Sequence, residues 1–247
     1  MTPAPPLKAC AVVMAGGVGS RLGSLTENLP KPMLPVAGKP ILDIVLSQLR
    51  REGFRDVTIT TGYRSEMIRD YCKDGAAWGL SIRYTLETEP LGTVGALSLV
   101  TPPAGVPLLV MNGDILTNES LRGIVAFHEQ QKAGITVGIV RHAQEVPFGV
   151  VTSDGELLTE IEEKPKIYID IGAGVYVLSP EALSLIPPAT RMDFPELVRR
   201  AKGKMRVVCH HFRGEWKDVG RPEDYRAVQQ DRALLASFGL TAQAEGP

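Results

Sequence analysis

Residues Met14 to Val36, reading MAGGVGSRLGSLTENLPKPMLPV, join a glycine-rich loop to an arginine and a lysine, a set suited to an anionic triphosphate. Gly16, Gly17 and Gly19 lack Cβ atoms, so the backbone can turn tightly and bring its N–H groups against phosphate oxygens. Arg21 adds a planar fork of donors that matches a phosphate. Lys31 stands between Pro30 and Pro32, whose fixed backbone leaves few conformations to lose on binding. The spacing fits neither GxGxxG nor GxxxxGK[ST], so the loop alone does not name a nucleotide-binding class.

The elements that must hold this loop follow from the apolar pattern. Ala9 to Met14 is a short apolar run, as expected of a strand buried on both faces of a parallel sheet, and it places the loop at a strand's carboxyl end. Leu42, Val45, Leu46 and Leu49 share one face of a helix over Ile41 to Glu52, and Asp56 to Thr61 alternates as a strand. A helix over Glu66 to Lys73, a strand over Ser81 to Leu86, a helix over Thr93 to Val100, a strand over Pro107 to Met111 and a helix over Leu121 to Lys132 complete the first half. Alternating strands and helices imply a doubly wound parallel sheet, which binds ligands beyond the carboxyl ends of its strands. The glycine loop, Glu87 and Asp114 all follow predicted strands and so converge on that edge. The second half is richer in β signal. Two strands flank Ser153-Asp154-Gly155 within Val146 to Glu162, Ala173 to Leu178 is a further run, and together they predict a β-rich insert over the sheet edge. Helices after Pro180 and around Glu196 to Ala201, a strand over Met205 to Phe212 and a final helix over Pro222 to Ser237 follow, with a polar tail from Thr241 to Pro247 expected to fray.

Composition bounds the reading. The 247 residues, 44% of them apolar and 22% charged, suffice for one large domain over residues 1–240, with a nucleotide-binding half to about residue 140 and an acceptor half to about residue 226. A formal net charge of −1 gives no electrostatic case for nucleic acid or an anionic membrane. Three scattered cysteines, Cys10, Cys72 and Cys209, form neither a disulfide framework nor a zinc site. No apolar run is long enough for a signal core or a membrane span, so a cytoplasmic address is the expectation.

AGGVGSRL followed by LPKPMLPVAGKPIL resembles the signature of the sugar-phosphate nucleotidylyltransferases. ETEPLGTVGAL (Glu87 to Leu97), NGD (Asn112 to Asp114), IEEKP (Ile161 to Pro165) and WKDVGRPEDY (Trp216 to Tyr225) extend the resemblance in the family's order to about Arg226. The nearest likeness is to bacterial guanylyltransferases acting on mannose, heptose or amino-sugar 1-phosphates. That resemblance implies a Rossmann-like, mostly parallel mixed sheet and attack by a sugar 1-phosphate on the α-phosphorus of a nucleoside triphosphate, with pyrophosphate leaving. By the same likeness Arg21 holds the β- and γ-phosphates, Lys31 neutralises the α-phosphate, Lys164 binds the sugar phosphate, and Asp114 and Asp218 hold Mg2+. Two carboxylates are a sufficient protein share for magnesium, which takes phosphate oxygens and water for the rest. The resemblance places Glu87 at the base edge, helped by Ala15, Gly16, Gly17, Gly19, Gly92 and Asn112 around the nucleotide. A carboxylate only accepts, so it suits guanine's ring N–H and amino group together, making GTP the first expectation and a pyrimidine nucleotide the alternative.

For the sugar, the likeness implies hydroxyl hydrogen bonds to Glu163 and a lining from the backbone of Gly149 and Ala173. Here the chain departs from its relatives. Many have asparagine where this chain has Gly172 in IGAGVYVL, and losing that amide costs discrimination for the group it would address. A heptose, a modified sugar or a cyclitol phosphate would fit the extra room, although a tight backbone crossing would also call for glycine. Asp193 and Arg191 are candidates for the rim of the acceptor pocket, whereas Trp78 and Trp216 read as packing anchors and His128 as a helix-face residue. Relatives commonly form dimers or tetramers, so a homo-oligomer is compatible with the sequence. A metal-free nucleotide-sugar-binding regulator is the rival class, opposed by the presence of Arg21, Lys31, Asp114, Lys164 and Asp218 together.

Overall fold

The apolar strands of the first half form the centre of one seven-stranded sheet in a computed structural model that describes residues 4–240. The expectation for the tail from Thr241 falls outside those residues. The strands are β1 (Cys10–Ala15), β2 (Pro35–Val36), β3 (Lys39–Pro40), β4 (Asp56–Thr61), β5 (Ser81–Leu86), β6 (Leu108–Asn112), β7 (Ile115–Thr117), β8 (Ile135–Glu145), β9 (Gly149–Asp154), β10 (Leu157–Glu163), β11 (Lys166–Leu178), β12 (Val207–His211) and β13 (Trp216–Asp218). The helices are α1 (Ile41–Arg51), α2 (Ser65–Cys72), α3 (Gly92–Gly95), α4 (Leu121–Gln130), α5 (Pro180–Leu183), α6 (Phe194–Ala201), α7 (Pro222–Gln230) and α8 (Arg232–Ser237).

The sheet order is β12-β8-β11-β6-β1-β4-β5. β1, β4, β5 and β6 are parallel, while β11 runs antiparallel to both β6 and β8. Strand order reverses on either side of β1, the topological switch point at which such sheets bind ligands. Alternation along β1 serves two cores: Ala11, Val13 and Ala15 face one, Cys10 and Val12 the other. β6 divides likewise, with Leu109 and Met111 against Leu108 and Val110. The first core takes Leu42, Val45, Leu46 and Leu49 of α1, and the second takes Phe194, Leu197 and Ala201 of α6. A sheet buried on both faces therefore has its carboxyl edge as the open surface.

Besides the short strands β2, β3, β7 and β13, which the pattern did not predict, four elements differ from the sequence expectation. β8 was not anticipated, because its first half is buried and apolar, its second half (Arg141 to Glu145) is exposed and polar, and Gly138 interrupts it. It is a strand because it pairs with β11 on one side and β12 on the other. β11 begins at Lys166 rather than Ala173 for the same reason, since residues 166–171 are laddered only to residues 140–145 of β8. The helix expected over Thr93 to Val100 is the single turn α3 followed by a 3-10 turn over Ala96–Leu99, consistent with the poor helix propensity of Gly92 and Gly95. The final helix breaks at Asp231, whose extended backbone lets its carboxylate accept from the Leu234 N–H at 2.9 Å and start α8.

Candidate active site

β1 ends at Ala15 and the chain turns into the glycine loop at the switch point. Thr26 Oγ1 donates to the Gly19 and Gly23 carbonyls at 3.1 and 3.3 Å, closing the loop on itself. Tyr63 Oη donates to the Glu27 carbonyl at 2.8 Å and ties the loop to the end of β4. A cavity of 690 Å³ opens there. Ala15, Gly16, Gly17, Gly19, Arg21, Lys31, Glu87, Gly92, Asn112 and Asp114 all line it, which brings together ten of the residues singled out from the sequence.

Lys31 is 7% exposed, held in a 3-10 turn with Pro32. A buried ammonium needs a partner, and it has two: it pairs directly with Asp114 Oδ2 and lies 3.7 Å from Asp218 Oδ1. The two aspartates are 104 positions apart but neighbours in space because β7 and β13 form an antiparallel ribbon in which Asp218 sits opposite Ile115. The Val219 N–H to Asp114 carbonyl bond, 3.1 Å, locks the ribbon at this point. Asp114 Oδ1 and Asp218 Oδ1 are both buried without a hydrogen-bond partner. Burial and then the Asp114 charge push the Asp218 carboxyl above its ordinary range, while Lys31 and Arg21 pull it back. Two orphaned hard oxygens beside a phosphate-binding loop match the donor set that magnesium takes from a protein when substrate oxygens complete its shell. Among the described residues no group of three metal-binding side chains exists, so a resident all-protein metal site is not what this geometry offers.

Glu87, directly after β5, turns its carboxylate against the glycine loop, so that a Cβ on Gly16 would overlap Glu87 Oε1. Oε2 accepts from the Leu91 N–H at 3.2 Å. Burial raises the Glu87 pKa and the Leu91 bond opposes the rise. Asp193, expected at the rim of the acceptor pocket, lies instead on the lining of the glycine-loop cavity, and Arg191 does not line it. Although Asp193 precedes α6, its side chain does not cap that helix; Oδ1 accepts from the Thr93 N–H at 3.2 Å. Thr93 Oγ1 in turn accepts from the Phe194 N–H at 3.1 Å, so two segments 100 residues apart cap each other. Thr93 and Tyr63, both on this lining, were not among the candidates; their only signal was adjacency to Gly92 and to the end of β4.

The residues expected around the acceptor are placed differently. β8 and β11 rise past the carboxyl edge of the sheet for six paired residues, about 20 Å at roughly 3.3 Å per residue. The β9–β10 ribbon crowns this arch, and every one of its residues is exposed. Gly149 and Glu163 are cross-strand partners on it, and Lys164 follows at its foot with φ 47°, its N–H donating to the Phe148 carbonyl at 3.2 Å. None of Gly149, Glu163, Lys164, Gly172 or Ala173 lines the cavity. Ala173 corrects the expectation most clearly: it is fully buried and its carbonyl accepts from Trp216 Nε1–H at 2.8 Å, so that backbone anchors the tryptophan. Nothing lies within 4 Å of a Cβ built at Gly172, so no backbone crossing demands glycine there. The neighbouring Gly174 is the constrained one, with φ 67° and a Cβ position 2.8 Å from Asn112 Nδ2. Trp78 is a packing residue as expected, donating to Asp43 at 2.9 Å, and His128 is a buried tie from α4 to Thr136 at 2.9 Å.

The nucleotidyl transferase family model matches residues 10–233. The mannose-1-phosphate guanylyltransferase of Mycobacterium tuberculosis is 34% identical over 226 residues, covering 87% of this chain and 62% of that protein. The catalytic subunit beta of the Dictyostelium discoideum mannose-1-phosphate guanylyltransferase is 30% identical over 223 residues with the same coverage. The chain thus spans about 62% of the length of these relatives. Among solved structures, HddC from Yersinia pseudotuberculosis complexed with GMP-PN superposes with a TM-score of 0.67 at 25% identity, covering 90% of this chain and 98% of that one. With the family match spanning nearly every described element, from β1 into α8, this chain belongs to the nucleotidyl transferase family.

Proposed function

We propose that this protein transfers a guanylyl group from GTP to a sugar 1-phosphate, releasing pyrophosphate. The observation that carries it is the meeting of the glycine loop, Arg21, Lys31, Glu87 and Asp114 on one cavity, with Asp218 delivered beside them by the β7–β13 ribbon. The reaction brings two polyanions together, so the protein's work is positioning and charge neutralisation rather than covalent chemistry. Lys31 neutralises the α-phosphate and Arg21 holds the β- and γ-phosphates. Glu87, ionised, accepts from the guanine ring N–H and amino group. Asp114 and Asp218 hold Mg2+, which polarises phosphate oxygens when bound. Lys31, beside both carboxylates, compensates their charge. The kinship to mannose-1-phosphate guanylyltransferases supports guanine over a pyrimidine.

Lys164 binds the acceptor's phosphate and Glu163 its hydroxyls, with Gly149 and Gly172 leaving room for the ring. That assignment requires the ribbon to approach the cavity once the acceptor is bound. Glycine at position 172 supplies no amide for a sugar hydroxyl, so heptose, modified-sugar and cyclitol phosphates are classes to test beside mannose. The test is pyrophosphate release with magnesium, crossing the common nucleoside triphosphates against mannose, heptose and cyclitol 1-phosphates. Release with GTP and one acceptor class supports the proposal. Release with a pyrimidine nucleotide alone overturns the guanylyl reading, and nucleotide binding without release from any pair supports a binding protein.

A further inference from the structure

Glu87 reads the base in the proposed reaction, but the loop that carries it has little packing of its own, since Thr88, Glu89 and Pro90 are all exposed. Its support comes from a segment 100 residues away. Leu91 is held from both sides: its N–H donates to Glu87 Oε2 at 3.2 Å and its carbonyl accepts from the Met192 N–H at 2.9 Å. The Met192 carbonyl then accepts from the Val94 and Gly95 N–H groups at 3.0 and 3.1 Å. Met192 is buried in the second core, and the Phe194 ring stacks on Tyr176 of β11 with centroids 3.6 Å apart. Asp193 stands between these two anchors. An aspartate at the start of a helix ordinarily caps it, but Asp193 makes no cap bond to α6. Its Oδ1 accepts instead from the Thr93 N–H, and a Cβ built at Gly92 would lie 2.7 Å from that oxygen. The carboxylate therefore presses on the turn, whose φ of 76° suits glycine.

We propose that Asp193 is a positioning residue for nucleotide selection: it fixes the Gly92 turn and so holds Leu91, whose N–H aims the Glu87 carboxylate at the base. This rests on the guanylyl reading. A carboxylate has about four lone-pair sites, so the bond from Leu91 leaves Oε1 and one site on Oε2 for guanine's ring N–H and amino group. Two bonds to one rigid base edge are sensitive to angle, because hydrogen bonds weaken steeply as they bend. A turn free to rotate would let Leu91 carry the carboxylate out of this arrangement, and GTP would lose its advantage over a nucleotide without the amino group. Asp193 makes no contact with the base in this proposal; its effect passes through Leu91 and Glu87.

The experiment is calorimetric titration of the full chain with GTP, with inosine triphosphate, which differs only in lacking the guanine amino group, and with UTP. D193A is expected to lower the affinity ratio of GTP to inosine triphosphate about fivefold, the scale of one weakened hydrogen bond. D193N, whose Oδ1 can accept from the same Thr93 N–H, should keep the ratio within about twofold of the parent. In an E87A background, where the carboxylate is already gone, D193A should add no further loss, because two residues acting through one contact are not additive. A ratio unchanged in D193A overturns the proposal, including the case in which both affinities fall together, which marks a merely structural role. A D193N variant as impaired as D193A, or an additive loss in the double variant, assigns Asp193 a direct contact or a charge effect and overturns it too. The guanylyl reading fails separately. A parent that binds UTP more tightly than GTP removes guanine, and loss of that preference in D193A would leave the positioning role standing. A parent with no preference among the three nucleotides overturns both.

Discussion

The floor of the nucleotide cavity and the β9–β10 ribbon carry the two halves of one proposed reaction, yet they are built on opposite physical terms. The floor hangs from strands buried on both faces: Val13, Leu109 and Ile59 are fully enclosed, and Lys31 is fixed between prolines against two carboxylates. The ribbon has no such support, for Phe148 is 71%, Leu157 70% and Ile161 62% exposed. An isolated two-stranded hairpin is marginal in water, so the ribbon's position is weakly determined by this chain alone. Its faces are nevertheless ordered. Val151, Ile161 and Glu163 share one face with Gly149, where two apolar side chains stand beside one acid. A preformed site for the common substrate and an adaptable arm for the variable one is the lesson of the contrast.

Removing a carboxylate from the floor should have the largest effect. Asp218→Asn is expected to cut turnover by about 10²–10³ with the melting temperature nearly unchanged, because it removes one of the two carboxylates proposed to hold Mg2+ at the reacting phosphates. Near-normal magnesium-dependent turnover would remove Asp218 from the metal site. In stability the floor should be the fragile region: Leu109→Ala, at a fully buried position, is expected to cost about 2–5 kcal/mol by urea denaturation. Lys164 sharpens the comparison, since its left-handed backbone is one that glycine adopts freely. Lys164→Gly should lower kcat/KM for the acceptor by roughly a hundredfold, the scale of a lost charge-assisted contact, while leaving GTP affinity and stability unharmed. A parallel loss of GTP affinity would mean that ribbon and floor are not separate in function.

Glu87→Gln sets a donor against guanine's donors and should reduce the preference for GTP over other nucleotides by about tenfold. Burial holds the Glu87 carboxyl above its ordinary range, so GTP affinity should begin to fall at a higher pH than for an exposed glutamate and recover as pH rises through that raised value. The stability term has the opposite sign. The folded protein favours the protonated acid, so Glu87 contributes stability below the unfolded glutamate pKa and loses it as pH rises through the folded one. Affinity in the glutamine variant should lack this acid limb; a limb that persists would assign it to another group. The smallest effect is expected on the ribbon, where Leu157→Ser should change stability by less than about 0.5 kcal/mol, since that side chain buries little to lose.

Legibility divides along the same line. Local chemistry marked β1, the glycine loop, Arg21, Lys31, α1, β4 and β5, because short-range periodicity and backbone restriction act within a few residues. Glu87 and Asp114 were legible through their place after strands. The sequence by itself determined an alternating α/β chain and the chemical types at its carboxyl edge. Residue pattern alone did not place Asp218 beside Asp114, which only the resemblance implied; the pairing of β7 with β13 across 104 residues brings them together. Nor could residue pattern show that Asp193 caps the segment carrying Gly92, since Asp-Phe-Pro reads locally as the start of its own helix. β8 and the long β11 exist as strands only because each satisfies the other's backbone groups, and their height above the sheet set the acceptor residues apart from the cavity. Residue types are fixed by the chain, whereas the distance between two charges far apart in sequence is fixed by strand pairing and packing, which only the tertiary structure decides.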